Sequence, residues 1–229
     1  MKRILPYLER LWTTDVGLTT LLASLLIYIF LLFPLGGPPW MKFLSRVFFS
    51  LILIAGAITA SKNRILRVLV FSWGLLTFIF LWTWYLFPHQ ALVLVNTGLA
   101  LVYLVLLTIL ILGQIFREGP TTSHRIIGAV AAYLLLGVIW SLAYYLIELS
   151  APGAFNIQGP LTPGDKEGLR SDFFYFSFVT LTTIGYGDIV SIHPFARMLV
   201  ILEGVAGQLF PAILIARLVS LQVQSKQKS

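Results

Sequence analysis

Charged positions divide this 229-residue chain into long uncharged runs instead of alternating with apolar residues. About 20 apolar residues are needed to cross a hydrocarbon core of roughly 30 Å. Residues 16–41 carry no charge and predict a first span, closed by the turn formers Pro34, Gly36, Gly37, Pro38 and Pro39. Residues 47–61 predict a shorter second span, with Arg46 reaching the interface from its end. Residues 68–116 then pass without an acid, a lysine or an arginine, too long a run for one crossing at about 1.5 Å per residue. It divides at Phe87-Pro88-His89-Gln90, where proline withholds a donor and disfavours helix in the residue before it. Helices are predicted near 65–87 and 91–115. Residues 126–147 and 198–216 complete six spans, the last interrupted only by Glu203.

Composition agrees with lipid as the main solvent. Charged residues make up 11%, less than half of the roughly one quarter that covers a soluble domain. The net charge of +7 sits in short basic clusters between apolar runs, the pattern of membrane orientation signals and not of a nucleic-acid binder. An inside N-terminus puts Lys2, Arg3, Arg10, Lys62, Arg64, Arg67, Arg117, Arg125, Arg217, Lys226 and Lys228 in the cytoplasm, leaving Lys42, Arg46, Lys166, Arg170 and Arg197 outside. Both termini are therefore expected inside. Trp82, Trp84 and Tyr85 then fall at the outer interface. The first apolar stretch is too long for a signal peptide and no small-residue cleavage site follows it, so a retained helix is expected. Without cysteine there is no disulfide, thiolate nucleophile or cysteine-bound metal.

Between the fifth and sixth spans the pattern changes. Residues 150–166 are rich in proline, glycine and polar side chains and read as an exposed loop. Ser171 suits an N-cap and Asp172 a first helical turn, so an apolar, aromatic helix is predicted over 173–181. Such a helix is too short to cross and must turn back. Non-helical backbone at membrane depth is tolerated only when it is buried in protein or lines a watery cavity. The residues that follow are Thr182-Thr183-Ile184-Gly185-Tyr186-Gly187-Asp188. Two glycines separated by a tyrosine permit alternating backbone conformations that L-residues resist. A strand of that kind turns successive carbonyls to one side, and four copies around an axis make stacked rings of oxygens that replace the water shell of a potassium ion. On this reading Thr183, Ile184, Gly185, Tyr186 and Gly187 form the ion-binding strand, with K+ held by the first four and the Thr183 hydroxyl adding an inner ring. The partly negative C-terminal end of the short helix favours a cation without burying a formal charge.

The stretch 172–188, DFFYFSFVTLTTIGYGD, resembles the pore helix and selectivity filter of potassium channels. The resemblance extends over residues 125–221 as outer helix, pore loop and inner helix, and the chain is similar overall to bacterial six-transmembrane potassium channels. The four upstream helices match that family only in number, topology and hydropathy. The resemblance implies an all-α membrane protein with six transmembrane helices and a re-entrant pore helix and filter between helices five and six. One chain carries one filter strand and coordination needs four, so a homotetramer is expected. The implied organisation is a cytoplasmic segment (1–15), a four-helix membrane domain (16–116), a pore domain (117–222) and a short cytoplasmic tail (223–229). The implied setting is a bacterial plasma membrane, with lipid and K+ as partners, no nucleic acid, and no cofactor beyond the ions in the filter.

Family position assigns further roles. Gly207 falls where potassium channels commonly carry a hinge, and Pro211, four residues later, cannot donate to its carbonyl; a static kink is the competing reading. Gln208, Pro211 and Ile215 form a stripe that faces the pore or, alternatively, lipid or the outer helix. Glu203 is an acid inside a span. It either sits in the cavity and attracts cations, or is protonated or hydrogen-bonded behind the pore helix, with Thr180 or Thr182 as partner; its register favours the second. Asp188 is expected to anchor the filter from outside, with Thr182 as a further support of the filter. Some relatives have a glutamate where this chain has Val179, which leaves Tyr175 as the candidate donor to Asp188. Residues 91–116 lack the repeated arginines of a voltage sensor. Asn96 and Gln114 are expected to bond to neighbouring helices, and His89, His124 and His193 to be solvated loop positions. A tail of some fourteen residues is too short for a nucleotide-binding or ion-sensing domain. A weakly selective cation pore is the alternative within channels; a carrier would need several filter copies, and no nucleophile–base constellation suggests an enzyme.

Overall fold

A computed structural model describes residues 16–32, 39–59, 64–86, 90–116, 123–158 and 166–227. The predicted N-terminal segment, the Pro34–Pro38 turn, Phe87-Pro88-His89 and much of the polar loop before the short helix lie outside the described residues, as do the side chains of His124, Trp84 and Tyr85. The elements are α1 (Val16–Ile27, continued by a π-helical turn over Tyr28–Leu32), α2 (Pro39–Thr59), α3 (Arg64–Leu86), α4 (Gln90–Ile115), α5 (Ser123–Ser150), β1 (Phe155–Ile157), α6 (Lys166–Leu181), β2 (Ile189–Ser191) and α7 (Pro194–Gln227). Among the described residues three stretches are long and apolar enough to cross a membrane, Ala91–Ile115, Arg125–Ser150 and Pro194–Arg217; Gly17–Leu31, Phe43–Ala57 and Val68–Thr83 are shorter apolar helices.

Two boundaries and one element differ from expectation. The first apolar run does not continue to Met41, because α2 begins at Pro39, a residue whose fixed φ and missing N–H suit a first helical position. The short helix begins at Lys166 and has 16 residues. Ser171 therefore lies inside α6 and does not cap it; Lys166-Glu167 and Leu169-Arg170 are good helix formers that carry the helix upstream of its aromatic run. The all-α expectation also gains a two-stranded antiparallel sheet, with Phe155 opposite Ser191, Asn156 opposite Val190 and Ile157 opposite Ile189.

The chain forms two compact units, Met1–Leu134 and Leu135–Ser229, whose boundary falls within α5. In the first, α1 packs on α2, α2 on α3 and α3 on α4. Gly56 and Gly74 let Tyr103 and Leu107 of α4 come close, and the Tyr103 hydroxyl donates to the Leu53 carbonyl. Trp73 donates from its indole to the Leu99 carbonyl, 3.1 Å away. Asn96 is buried with its Oδ1 unpaired, contrary to the expected interhelical bond. Hydroxyls in this unit such as Thr77 and Thr108 bond back to their own helices and offer it no donor.

In the second unit an aromatic core joins α5, β1 and α6. The ring of Phe155 lies 4.7 Å from Phe173, and Tyr144 lies 5.2 Å from Phe176 and 5.5 Å from Phe155. These tilted and edge-on contacts lie within the preferred range for aromatic pairs. Gly137 on α5 has no side chain to obstruct Phe178 of α6, whose ring would lie 2.6 Å from a Cβ there.

Candidate functional site

The short helix α6 ends at Leu181, and the chain then runs without regular structure through Thr182–Asp188. Thr183, Gly185 and Gly187 have φ of +60°, +59° and +80°, while Ile184 and Tyr186 between them do not take positive φ. In a pleated strand carbonyls alternate sides; a regular alternation of backbone hand brings them to one side. Glycine takes this conformation freely, whereas Thr183 takes it at a strain of about 1–3 kcal/mol. The N–H groups at the base of the strand hang on the end of α6. Thr182 donates to the Phe178 carbonyl (3.0 Å), Thr183 to Thr180 (2.9 Å) and Ile184 to Val179 (2.9 Å). The Thr182 hydroxyl also donates to the Phe178 carbonyl, at 2.6 Å. These donors are consumed, while residues 182–187 are exposed within the single chain.

Beyond the strand, three features hold Asp188. Its carbonyl accepts the Gln158 N–H at 2.9 Å. Its side chain accepts the Ile189 N–H at 3.1 Å. The Tyr175 hydroxyl also bonds to it, and this bond pushes the exposed phenol up to about 12. The Tyr175 ring lies parallel to that of Tyr186, at 2° and 6.5 Å between centroids. The β1–β2 ladder continues this attachment, and Ile192 and His193 both donate to the Ala154 carbonyl. At the end of α5, Glu148 accepts the N–H groups of Gly153 and Phe155, fixing the turn into β1. His193 is exposed, as expected, and its Nδ1 accepts the Phe195 N–H at the start of α7.

In the same unit α7 packs on α6. Glu203 is fully buried, with Tyr144 of α5 at 2.5 Å from Oε2 and Ser177 of α6 at 2.5 Å from Oε1. It lies against α6, but its partners are not Thr180 or Thr182. The Thr182 hydroxyl is spent on the Phe178 carbonyl. One turn further along α7, Gly207 meets the Leu181 carbonyl oxygen so closely that a Cβ would lie 2.0 Å from it. This glycine is a close-packing position, and α7 passes through both Gly207 and Pro211 as one continuous helix. Gln208 and Ile215 are exposed and Pro211 half-buried within the single chain.

The strand residues and Tyr175, Thr182 and Asp188 are thus brought into one locality, and Glu203 and Gly207 lie against the helix that carries it. Tyr144, Ser177, Gln158 and Glu148 were not singled out from the sequence. A buried acid among membrane hydroxyls was the available signal for the first two; no local pattern marks the others.

Comparison with known proteins gives the ion channel family, whose profile matches residues 132–224. The chain is 35% identical over 85 residues to an inward rectifier potassium channel of Paramagnetospirillum magnetotacticum, covering 35% of this chain and 24% of that one. It is 34% identical over 86 residues to two pore potassium channel b of Oryza sativa subsp. japonica, covering 37% of this chain and 21% of the relative. It is also 28% identical over 87 residues to protein LctB of Bacillus caldotenax, covering 38% of this chain and 64% of the relative. The matched stretches thus span less than two thirds of each relative's length. No solved structure matches the chain.

Proposed function

We propose that this chain, whose residues 132–224 match the ion channel family, is one quarter of a potassium-selective pore that conducts K+ passively across a bacterial plasma membrane. The observation that carries the reading is the alternation of positive φ at Thr183, Gly185 and Gly187. Four such strands around an axis supply stacked rings of oxygens at Thr183, Ile184, Gly185 and Tyr186, which take the place of an ion's hydration shell. The Thr183 hydroxyl forms the innermost ring. Tyr175, Thr182 and Asp188 hold the strand from behind and above, and Gln208, Pro211 and Ile215 of α7 face the cavity beneath it.

Two further observations support a shared axis. The filter residues are exposed in the lone chain, and only 11% of the apolar stretch of α7 is buried within it, against 56% for α5. Exposed apolar surface of this extent needs either lipid or other copies of the chain, and the polar filter backbone cannot face lipid. Relatives described as potassium channels point to the same cargo. Six helices then cross the membrane with both termini in the cytoplasm. Residues 91–116 bear no arginine, so arginine-type voltage gating is not expected. The test is the reversal potential of purified protein in a bilayer with potassium on one side and sodium on the other. A potential near the potassium equilibrium value supports the reading; a value near zero leaves a weakly selective cation pore.

A further inference from the structure

Glu203 is the one carboxyl, ammonium or guanidinium group that is fully buried among the described residues. It is held by two other helices, α5 and α6, in a count of hydrogens that does not balance for an ionised acid. The three close contacts are Tyr144 Oη to Oε2 at 2.5 Å, Ser177 Oγ to Oε1 at 2.5 Å, and Ser177 Oγ to the Gly137 carbonyl oxygen at 2.8 Å. Tyr144 and Ser177 each carry a single hydroxyl hydrogen, and the Gly137 carbonyl only accepts. Three hydrogen bonds require three hydrogens, and the hydroxyls supply two. We propose that Glu203 carries the third: it is a neutral, proton-bearing positioning residue that latches α7 to the pore helix α6 and the outer helix α5. The Ser177 hydroxyl then donates to Gly137 and accepts from the carboxyl, and every polar atom of the cluster is satisfied, as a buried network requires.

The latch bears on the filter through register. Ser177 and Leu181 are one turn apart on α6, and Glu203 and Gly207 are one turn apart on α7. The Glu203–Ser177 bond and the Gly207–Leu181 backbone contact are therefore two successive rungs between the same pair of helices. The carbonyls of Phe178 and Val179, which hold Thr182 and Ile184, lie between those rungs. A neutral latch fixes the seat of the strand while adding no charge to the ion path. An ionised one would leave two acceptors competing for the Ser177 hydrogen.

The functional part of this inference rests on the channel reading, whereas the proton does not. Two measurements on one preparation separate them. The infrared spectrum of the full-length protein should contain a protonated-carboxyl C=O stretch, at higher wavenumber than the carboxylate band, that disappears in Glu203→Gln. In bilayers Glu203→Gln should retain wild-type K+/Na+ selectivity, since an amide both donates and accepts, while Glu203→Ala should lose it about tenfold. If the alanine protein does not assemble, Ser177→Ala, which removes two of the three bonds, takes its place with the same expected loss. Absence of the infrared band, or a Glu203→Gln protein as impaired as the alanine variant, overturns the inference. A wild-type protein that conducts without preferring potassium instead overturns the channel reading and leaves the infrared result to decide the proton.

Discussion

A methyl group added at position 207 would lie 2.0 Å from the Leu181 carbonyl oxygen, and backbone on both sides leaves nothing free to yield. Overpacking of this kind costs about 1–3 kcal/mol or more. Gly207→Ala should therefore lower the thermal unfolding temperature in detergent sharply. Gly98→Ala offers the contrast: no atom lies within 4 Å of its Cβ, and replacing a helical glycine gains roughly 0.5–1 kcal/mol. Tyr175 makes a finer test. Its phenol ordinarily titrates at 10.0 and is raised to about 12 by the bond to Asp188. The stabilisation from that bond is complete below the unfolded value and is lost as pH rises through the folded one. Because the pair is exposed, it contributes at most about 1 kcal/mol. Wild type and Tyr175→Phe should differ in thermal stability at pH 8 and converge above pH 12. A constant difference across that range would show that the phenol–carboxylate pair contributes nothing.

Among the elements, the two three-residue strands pair beside the end of the 182–188 segment. The Gln158 N–H continues their ladder onto the Asp188 carbonyl. Gln158→Pro removes that donor, and a lost bond of roughly 1 kcal/mol corresponds to about a fivefold effect on an equilibrium. Conductance during sustained opening should decay about fivefold faster in that variant, while Gln158→Ala, which keeps the N–H, should match wild type. Strands this short fall below any hydrophobic period, so neither β1 nor β2 was legible in the sequence. The helices were, because gaps between charged residues mark them directly: α3 and α4 lie within a residue or two of their expected bounds. The alternating backbone of residues 183–187 was legible too, since glycine at alternate positions reports backbone conformation. The partners of Glu203 were not, because Ser177 and Tyr144 lie 26 and 59 positions away on other helices. Ser171 misled for a physical reason: a residue suited to a helix start is also tolerated inside a helix when upstream residues already favour it.

At the scale of the whole molecule, assembly should be visible as mass. Protein in mild detergent should measure four times 25.6 kDa after correction for bound detergent, and a solely monomeric species would end the channel reading. The exposure of residues 182–187 in the lone chain bears on biosynthesis. If four copies form the proposed pore, a cell can insert them one at a time without leak, because a solitary copy encloses no passage. On the proposed tetrameric reading, leak begins only when the fourth chain closes the circle, which ties permeability to encounter in the bilayer.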